Sequence, residues 1–218
     1  MLFSKSKLEI CLLTGALGSG KTTLLNNLLR NSKLQGSLVL INEFGDIGLD
    51  HEIVREVKED VVLLSSGCLC CSLKGDLRDE LIVIVEDLNS GKLPPVSGPI
   101  IIETTGLADP IPILKLINSD DILQQHLRIK NVITVVDAIN IQNQIKEIPE
   151  VENQVALADI LVISKTDLAS ISDQSISNTI IDQLNPLAKR FEVNKEASIL
   201  DIITSITTIN IRKNILPV

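Results

Sequence analysis

The stretch "GALGSGKT", Gly15 to Thr22, decides the fold that we predict from this sequence. It fits the pattern G-x-x-x-x-G-K-[ST] and lies between a short apolar run, "EICLLTG", and an amphipathic segment that begins at Lys21. A strand, a glycine-rich turn and a helix in this order are typical of a phosphate-binding loop. The alternative, a glycine-rich turn with an exposed lysine, fits the flanking strand and helix less well.

The residue types in this loop suit a nucleotide that carries Mg²⁺. The glycines allow the backbone to curl until successive N–H groups point at the β-phosphate. Lys21 neutralises β- and γ-phosphate oxygens, and the Thr22 hydroxyl is a ligand for Mg²⁺. The predicted nucleotide-binding residues of the loop are Gly15, Gly18, Ser19, Gly20, Lys21, Thr22 and Thr23.

Six short apolar runs predict strands, and helical patterns such as Lys21 to Asn31 and Leu73 to Asn89 separate most of them. Each run is apolar almost throughout, which is typical of strands covered on both faces. A βαβ succession of this kind predicts an α/β, three-layer P-loop NTPase fold, with an open, mostly parallel sheet flanked by helices on both faces. We expect one domain over residues 1–218, with an exposed loop at Ser90 to Pro99. The strands are expected at 9–15, 37–43, 61–67, 99–106, 131–138 and 159–165.

Composition excludes several classes of partner. The net charge is −8, which disfavours binding to the phosphate backbone of a nucleic acid. There are three Phe but neither Trp nor Tyr, so few aromatic side chains are present on which bases could stack. The apolar runs are far shorter than a membrane span, although hydrophobic residues make up 44% of the chain. No secretory signal is recognisable at the N-terminus. We therefore expect a cytoplasmic protein that binds neither nucleic acid nor membrane.

The segment "ISKTDL", Ile163 to Leu168, predicts that the base is guanine. Its [NTS]-K-x-D pattern resembles the guanine-binding motif of GTPases and follows the sixth predicted strand. Asp167 would accept hydrogen bonds from the N1–H and amino groups of guanine, while the stem of Lys165 packs against the base. Adenine offers no such pair of donors, so GTP is favoured over ATP. Ser164 stands where Asn is commoner, which predicts a weaker contact with the purine.

Carboxylates at two other strand ends suit hydrolysis. Glu103 ends the apolar run of "IIIETTGLADP" and is placed to hold Mg²⁺ or to orient the attacking water. Gly106 lets the backbone approach the γ-phosphate and move when it leaves. Lys21, Glu103 and Gly106 are therefore the predicted catalytic group. Glu43 and Asp46, in "INEFGDIGLD", are weaker candidates for a metal site, since either carboxylate also suits a loop cap or a solvated charge.

Three of the four cysteines, Cys68, Cys70 and Cys71, fall within "SSGCLCCSLKGD" after the third predicted strand. Three thiolates in C-x-C-C supply soft ligands for Zn²⁺, Cu(I) or another thiophilic ion, and they leave a tetrahedral site open at its fourth position. An open position suits a metal that is passed on. A redox-active thiol pair and incidental half-buried cysteines are the alternatives. Cys11, inside the first strand, is predicted to be an inert core residue.

Taken in order, these motifs resemble the CobW-like family of GTP-dependent metallochaperones, from about residue 8 to residue 170. The matching stretches are "GALGSGKTTLLN", "INEFGDIGLD", "SSGCLCCSLKGDLRDEL", "IIETTGLADP", "TVVDA" and "LADILVISKTDL". The resemblance implies a GTPase domain whose C-x-C-C thiols bind zinc or cobalt, with the nucleotide controlling delivery to a client metalloprotein. Family members often have Glu where this chain has Asp46.

The resemblance also sets expectations about the rest of the protein. Family members usually carry a second, β-rich domain and often a histidine-rich segment, whereas this sequence ends at Val218 and has only His51 and His126, which we interpret as ordinary residues. A homodimer that pairs across the nucleotide stays open. Two other functions also stay open: a nucleotide-dependent scaffold with a structural zinc, and a P-loop small-molecule kinase.

Overall fold

A single parallel sheet organises the protein. The computed structural model describes residues 7–34, 36–42, 62–64, 74–194 and 196–204. Within these ranges seven strands pair in the order β3-β2-β4-β1-β5-β6-β7, and every adjacent pair is parallel. The strands are β1 (Leu8–Gly15), β2 (Leu38–Asn42), β3 (Val62–Leu64), β4 (Ile100–Thr104), β5 (Leu127–Asp137), β6 (Ile160–Ser164) and β7 (Lys189–Glu192).

Helices supply most of the crossovers that parallel strands require. In chain order they are α1 (Lys21–Leu29), α2 (Lys74–Ser90), α3 (Pro110–Ser119), α4 (Leu123–His126), α5 (Ile141–Glu147), α6 (Pro149–Ala156), α7 (Ile171–Leu184) and α8 (Glu196–Thr204), with a short 3₁₀ helix at Ser32–Leu34. Within the described ranges none of these helices combines the length and the hydropathy that a membrane span needs.

The central strands are buried on both faces. Ile10 and Leu12 of β1 pack on one face with α2 and α3, while Cys11 and Leu13 pack on the other with α1 and α8. A third apolar cluster joins β5 and β6 to α5, α6 and α7. Because both faces are covered, the strands are apolar throughout, and the predicted three-layer α/β fold is confirmed.

Two features of the sheet differ from the sequence-based prediction. β5 begins at Leu127 and not at Asn131, because Arg128 and Lys130 interrupt the apolar pattern while both pair with Glu9 on the neighbouring strand β1. β7 was not predicted at all. Its sequence, "KRFE", is polar and partly exposed at the end of the sheet, so hydrophobic patterning does not reveal it.

Two smaller predictions agree with the structure. Residues 91–99 lie outside helices and strands, as expected for the predicted loop. Cys11 has no exposed surface, and burial raises the pKa of its thiol to about 12. A neutral, inaccessible thiol is chemically inert, as predicted for a core cysteine.

Polar and glycine residues gather where the strands end. The register pairs Leu13 of β1 with Glu103 of β4, and Asp137 of β5 with Ser164 of β6. Gly15, at the end of β1, lies beside Val135 of β5. The carboxyl edge of the sheet therefore brings together the strand ends on which the sequence-based site was predicted, which is where ligands bind in open α/β sheets.

Candidate functional site

The glycine-rich loop has a backbone that only glycine can adopt at its two ends. Gly15 has φ +139°, and a Cβ there would lie 2.3 Å from the main-chain oxygen of Val135. Gly20 has φ +98° and is the N-cap residue of α1; because it has no side chain, it cannot cap the N–H groups of the first turn. The loop thus wraps tightly from β1 into the N-terminus of α1, where main-chain N–H groups and the helix dipole favour an anion.

Lys21 lies folded over this loop. Its side chain is buried, and Nζ donates to the main-chain oxygens of Gly15 (2.9 Å) and Ala16 (3.1 Å). These carbonyls hold the ammonium group at the mouth of the loop. A phosphate oxygen is a stronger acceptor for the same charge, so Lys21 is placed to bind an anion that enters the loop.

Thr22 and Glu103 bring a hydroxyl and a carboxylate together beside the loop. Thr22 lies in the first turn of α1, and its Oγ1 donates to Oε1 of Glu103 over 2.8 Å. Glu103 is almost completely buried in β4, between β1 and β2. Two hard oxygen atoms next to a phosphate-binding loop are the donor set that Mg²⁺ uses in nucleotide sites, so these side chains fit that ion.

The loop that follows β4 presses against the glycine-rich loop at Gly106. A Cβ on Gly106 would lie 2.3 Å from the main-chain nitrogen of Leu17 and 2.4 Å from its Cα, which excludes any larger residue at this position. The side chain of Leu17 is largely exposed, and so is that of Leu107. Gly106 is therefore a point at which the segment after β4 lies directly against the phosphate-binding loop.

The S-K-T-D segment reaches the same loop from the other side. Ser164 ends β6, and its Oγ donates to the main-chain oxygen of Ser19 over 2.7 Å. Lys165 adopts φ +57°, a left-handed conformation that is uncommon outside glycine, and Asp167 is exposed. Ser164 thus connects this segment to the glycine-rich loop, a contact that the sequence-based comparison of Ser with Asn did not foresee.

Asp137 is a site residue that sequence reasoning missed. It ends β5 with 1% of its surface exposed, and its Oδ2 accepts from Nζ of Lys165 over 2.6 Å. Burial raises the pKa of this carboxyl, but hydrogen bonds from Asn140, Lys165 and the backbone outweigh burial and hold the pKa below its usual value. An ionised Asp137 therefore fixes the orientation of Lys165. A polar residue ending a buried strand was the available signal.

Gln154 is a second residue that sequence reasoning missed. It lies on α6 with no exposed surface, and its Nε2 donates to the main-chain oxygens of Gly106 (3.3 Å) and Ala108 (3.0 Å). Its helix otherwise turns Val151 and Val155 inward. A glutamine within such an apolar stripe signals a buried polar contact, although the sequence does not indicate the partner.

Some predicted site residues lie outside the described residues. These are Cys68, Cys70 and Cys71 of the C-x-C-C motif, together with Glu43 and Asp46. Their predicted roles as metal ligands stay predictions. Within the ranges that the structure does describe, no three His, Cys, Asp or Glu side chains lie together in a way that would hold a metal ion.

The described part of the site combines three capacities at one edge of the sheet. Lys21 and the start of α1 offer positive charge to an anion, Thr22 and Glu103 offer oxygen ligands to a cation, and Lys165, held by Asp137, lies with the exposed Asp167 on the segment after β6. Together these groups suit a nucleoside triphosphate with its Mg²⁺.

The sequence matches a known family model over most of its length. The model of the CobW/HypB/UreG nucleotide-binding domain covers residues 9–192. The zinc chaperone YjiA of Escherichia coli is 34% identical over 167 residues, which is 77% of this chain and 52% of that protein. The zinc-regulated GTPase metalloprotein activator 1 of Schizosaccharomyces pombe is 36% identical over 190 residues, 84% of this chain and 45% of that protein. The chain thus spans about half the length of the curated relatives it matches.

The fold is also similar to a solved structure. The crystal structure of the Zn(II)-bound YjiA GTPase from E. coli superposes with a TM-score of 0.64 at 27% sequence identity, over 85% of this chain and 57% of that one.

Proposed function

The chain belongs to the CobW/HypB/UreG family of nucleotide-binding domains, and we propose that it is a GTP-binding, GTP-hydrolysing metallochaperone. It binds Zn²⁺ or Co²⁺ through the C-x-C-C motif and passes the metal to a client metalloprotein under control of the nucleotide. One observation carries this proposal: the hydrogen bond between Thr22 and Glu103 beside a phosphate-binding loop that is also tied to the S-K-T-D segment.

The nucleotide is bound in two places. The phosphates lie in the loop, where Lys21 turns from the carbonyls of Gly15 and Ala16 to the phosphate oxygens. Guanine lies against Lys165 and donates to Asp167, with Ser164 holding this segment to the loop and Asp137 orienting the lysine. The residues that bind nucleotide are Gly15, Gly18, Ser19, Gly20, Lys21, Thr22, Thr23, Ser164, Lys165 and Asp167.

Hydrolysis uses the residues next to the γ-phosphate. Thr22 and Glu103 would hold Mg²⁺, which would supply positive charge next to the phosphates. Lys21 stabilises the negative charge that develops there during phosphoryl transfer. Glu103 is buried between β1 and β2, so its carboxylate keeps a fixed position relative to the loop. Because Gly106 has no side chain, its main chain lies directly against Leu17 of the phosphate-binding loop. In this position it would contact the γ-phosphate.

The metal cargo is bound by Cys68, Cys70 and Cys71, with Glu43 and Asp46 as further candidate ligands. The names of the relatives support zinc as the cargo, since they are a zinc chaperone and a zinc-regulated GTPase metalloprotein activator. The Zn(II)-bound structure of YjiA supports the same choice. The proposal includes a cytoplasmic location, a client metalloprotein as partner, and a homodimer as one assembly state.

Nucleotide turnover is tested by phosphate release from GTP in the presence of Mg²⁺. We expect the wild-type protein to release phosphate and Lys21→Ala to be inactive. Lys33→Ala, which removes an exposed lysine paired with Asp201, should leave turnover unchanged. A wild-type protein that binds neither GTP nor GDP would contradict the proposal. Turnover of ATP without any thiol-bound metal would indicate a small-molecule kinase instead.

Metal delivery is tested by titrating Zn²⁺ and Co²⁺ against a chelator with GTP, with GDP and without nucleotide. We expect the metal affinity to differ between the GTP and GDP states, and to fall in Cys70→Ala but not in Cys11→Ala, because Cys11 is buried in β1. By linkage, metal must change the ratio of GTP to GDP affinity by the same factor. Zinc held equally tightly in all three states would indicate a structural zinc in a scaffold.

A further inference from the structure

Gln154 is a buried polar residue whose side chain donates hydrogen bonds to the loop that follows β4. No part of the residue is exposed, and its Nε2 is shared between the main-chain oxygens of Gly106 and Ala108. Burying an amide is unfavourable unless it is hydrogen-bonded, and among the described residues the Nε2 end of Gln154 has partners whereas its buried Oε1 has none. An apolar residue would fill the same space on α6 without that cost, so the two bonds to the loop account for a glutamine at this position.

The helix that carries Gln154 is itself fixed to the sheet. Oγ1 of Thr134 on β5 donates to the main-chain oxygen of Gln154 over 2.6 Å. Next to it, Nδ2 of Asn153 donates to Oδ2 of Asp109 over 3.3 Å, and Oδ1 of Asp109 caps α3 through the N–H of Ile111. Two consecutive amide side chains of α6 therefore hold the loop from Gly106 to Asp109 at three points.

The same loop meets the phosphate-binding loop on its other side. Gly106 lies against the main chain of Leu17 so closely that a Cβ would overlap it. A displacement of Gly106 away from Leu17 also moves the Gly106 carbonyl, which accepts from Nε2 of Gln154. The bonds of Gln154 thus stabilise the arrangement in which Gly106 stands next to the phosphate-binding loop.

We infer that Gln154 is a positioning residue that holds the loop from Gly106 to Asp109 against the phosphate-binding loop, and thereby sets how strongly the protein distinguishes GTP from GDP. The inference rests on the proposed GTP-binding function. GTP has a γ-phosphate next to Gly106 and GDP has none, so only GTP gains from a loop that is already in place. Without Gln154 the loop must be ordered when GTP binds, which weakens GTP binding selectively.

The test measures the affinities of GTP and GDP by competition with a fluorescent GDP analogue. Gln154→Met keeps the length of the side chain and removes its N–H groups. Because two hydrogen bonds to carbonyls are lost, we expect the preference for GTP over GDP to fall about tenfold, with GDP affinity unchanged. If the substitution acted only by destabilising the whole protein, the affinities for GTP and GDP would fall by the same factor.

Asn185→Ala is the matched control. Asn185 is another buried amide, and its Nδ2 donates to the main-chain oxygens of Val155, Ala156 and Ala158, at the C-terminal end of the same helix. It contacts α6 without reaching the loop after β4. We expect this variant to unfold at a lower temperature than the wild type while keeping the wild-type ratio of GTP to GDP affinity.

Each outcome decides the inference. An unchanged affinity ratio in Gln154→Met overturns it, and so does an equal fall in Asn185→Ala. If Gln154→Met does not fold, Asn153→Ala decides, because this half-exposed residue holds the loop through a single bond. Its preference for GTP should then fall about two- to threefold, and no change overturns the inference. Binding of both nucleotides by the wild type shows that such a result leaves the proposed function standing.

Discussion

Gly106→Ala is the sharpest test of the loop that follows β4. The added Cβ would lie 2.3 Å from the Leu17 nitrogen, about 1 Å closer than ordinary van der Waals contact. The three obstructing atoms are N, Cα and Cβ of Leu17, none of which moves when the side chain rotates, so no rotamer change relieves the overlap. The segment after β4 must therefore move about 1 Å away from the position in which it meets the γ-phosphate.

A displacement of this size near the reacting groups costs on the order of 100-fold in rate. We expect kcat/KM for GTP hydrolysis to fall about 100-fold, equivalent to about 2.7 kcal/mol of transition-state stabilisation. GDP affinity should change little, because GDP has no γ-phosphate beside Gly106. The assay is steady-state phosphate release from GTP, with GDP affinity measured separately on the same samples.

Gly98→Ala is the control for crowding. A Cβ on Gly98 would lie 2.2 Å from Oγ of Ser37, a side-chain atom that can rotate away, and 3.2 Å from the Ser37 nitrogen, before β4 begins. This variant adds the same methyl group away from the phosphate-binding loop and should keep the wild-type kcat/KM. A Gly106→Ala protein with kcat/KM within about twofold of the wild type would refute the argument, because the loop would then tolerate displacement.

Three further predictions concern residues within the described part of the chain. Asp137→Asn removes the charge that orients Lys165 and should weaken GTP binding about tenfold in equilibrium titration, since bonds to charged groups are the stronger ones. Because the pKa of Asp137 is lowered in the folded protein, its carboxylate stabilises the folded state above pH about 4, and this stabilisation is lost as the pH falls further. In urea denaturation, Asp137→Asn should therefore show a smaller fall in the free energy of unfolding below pH about 4 than the wild type. Cys11, with its pKa of about 12 and no exposed surface, should resist iodoacetamide at pH 8 until the protein is unfolded, as peptide mass spectrometry would show.

The parts of the fold that could be predicted are those in which burial dominates the choice of residue. β1 and β4 are covered on both faces, so their continuous apolar runs predict them as strands even when the neighbouring strands are not known. β7 and the first residues of β5 are different, because their polar side chains depend on partners far along the chain, such as Glu9 for Lys130. Hydrophobic periodicity contains no information about such pairs.

The candidate site divides in the same way. The glycine-rich loop could be predicted because its backbone conformation restricts which residues it tolerates, as Gly15 and Gly20 illustrate. Asp137 and Gln154 could not be assigned, because their roles arise from Lys165 and Gly106, which are distant in sequence. Ser164 was predicted to weaken the purine contact, and its hydrogen bond to the loop became visible only in three dimensions.

The order of the strands separates the two functions that we assign to the nucleotide site. β4 lies on one side of β1, and β5 and β6 lie on the other, so Glu103 and Gly106 approach the phosphate-binding loop opposite Ser164 and Lys165. The contacts that we propose for guanine and for the γ-phosphate therefore come from strands on opposite sides of β1. Because the two sets of residues are carried by different strands, a substitution in one set should leave the other set in place.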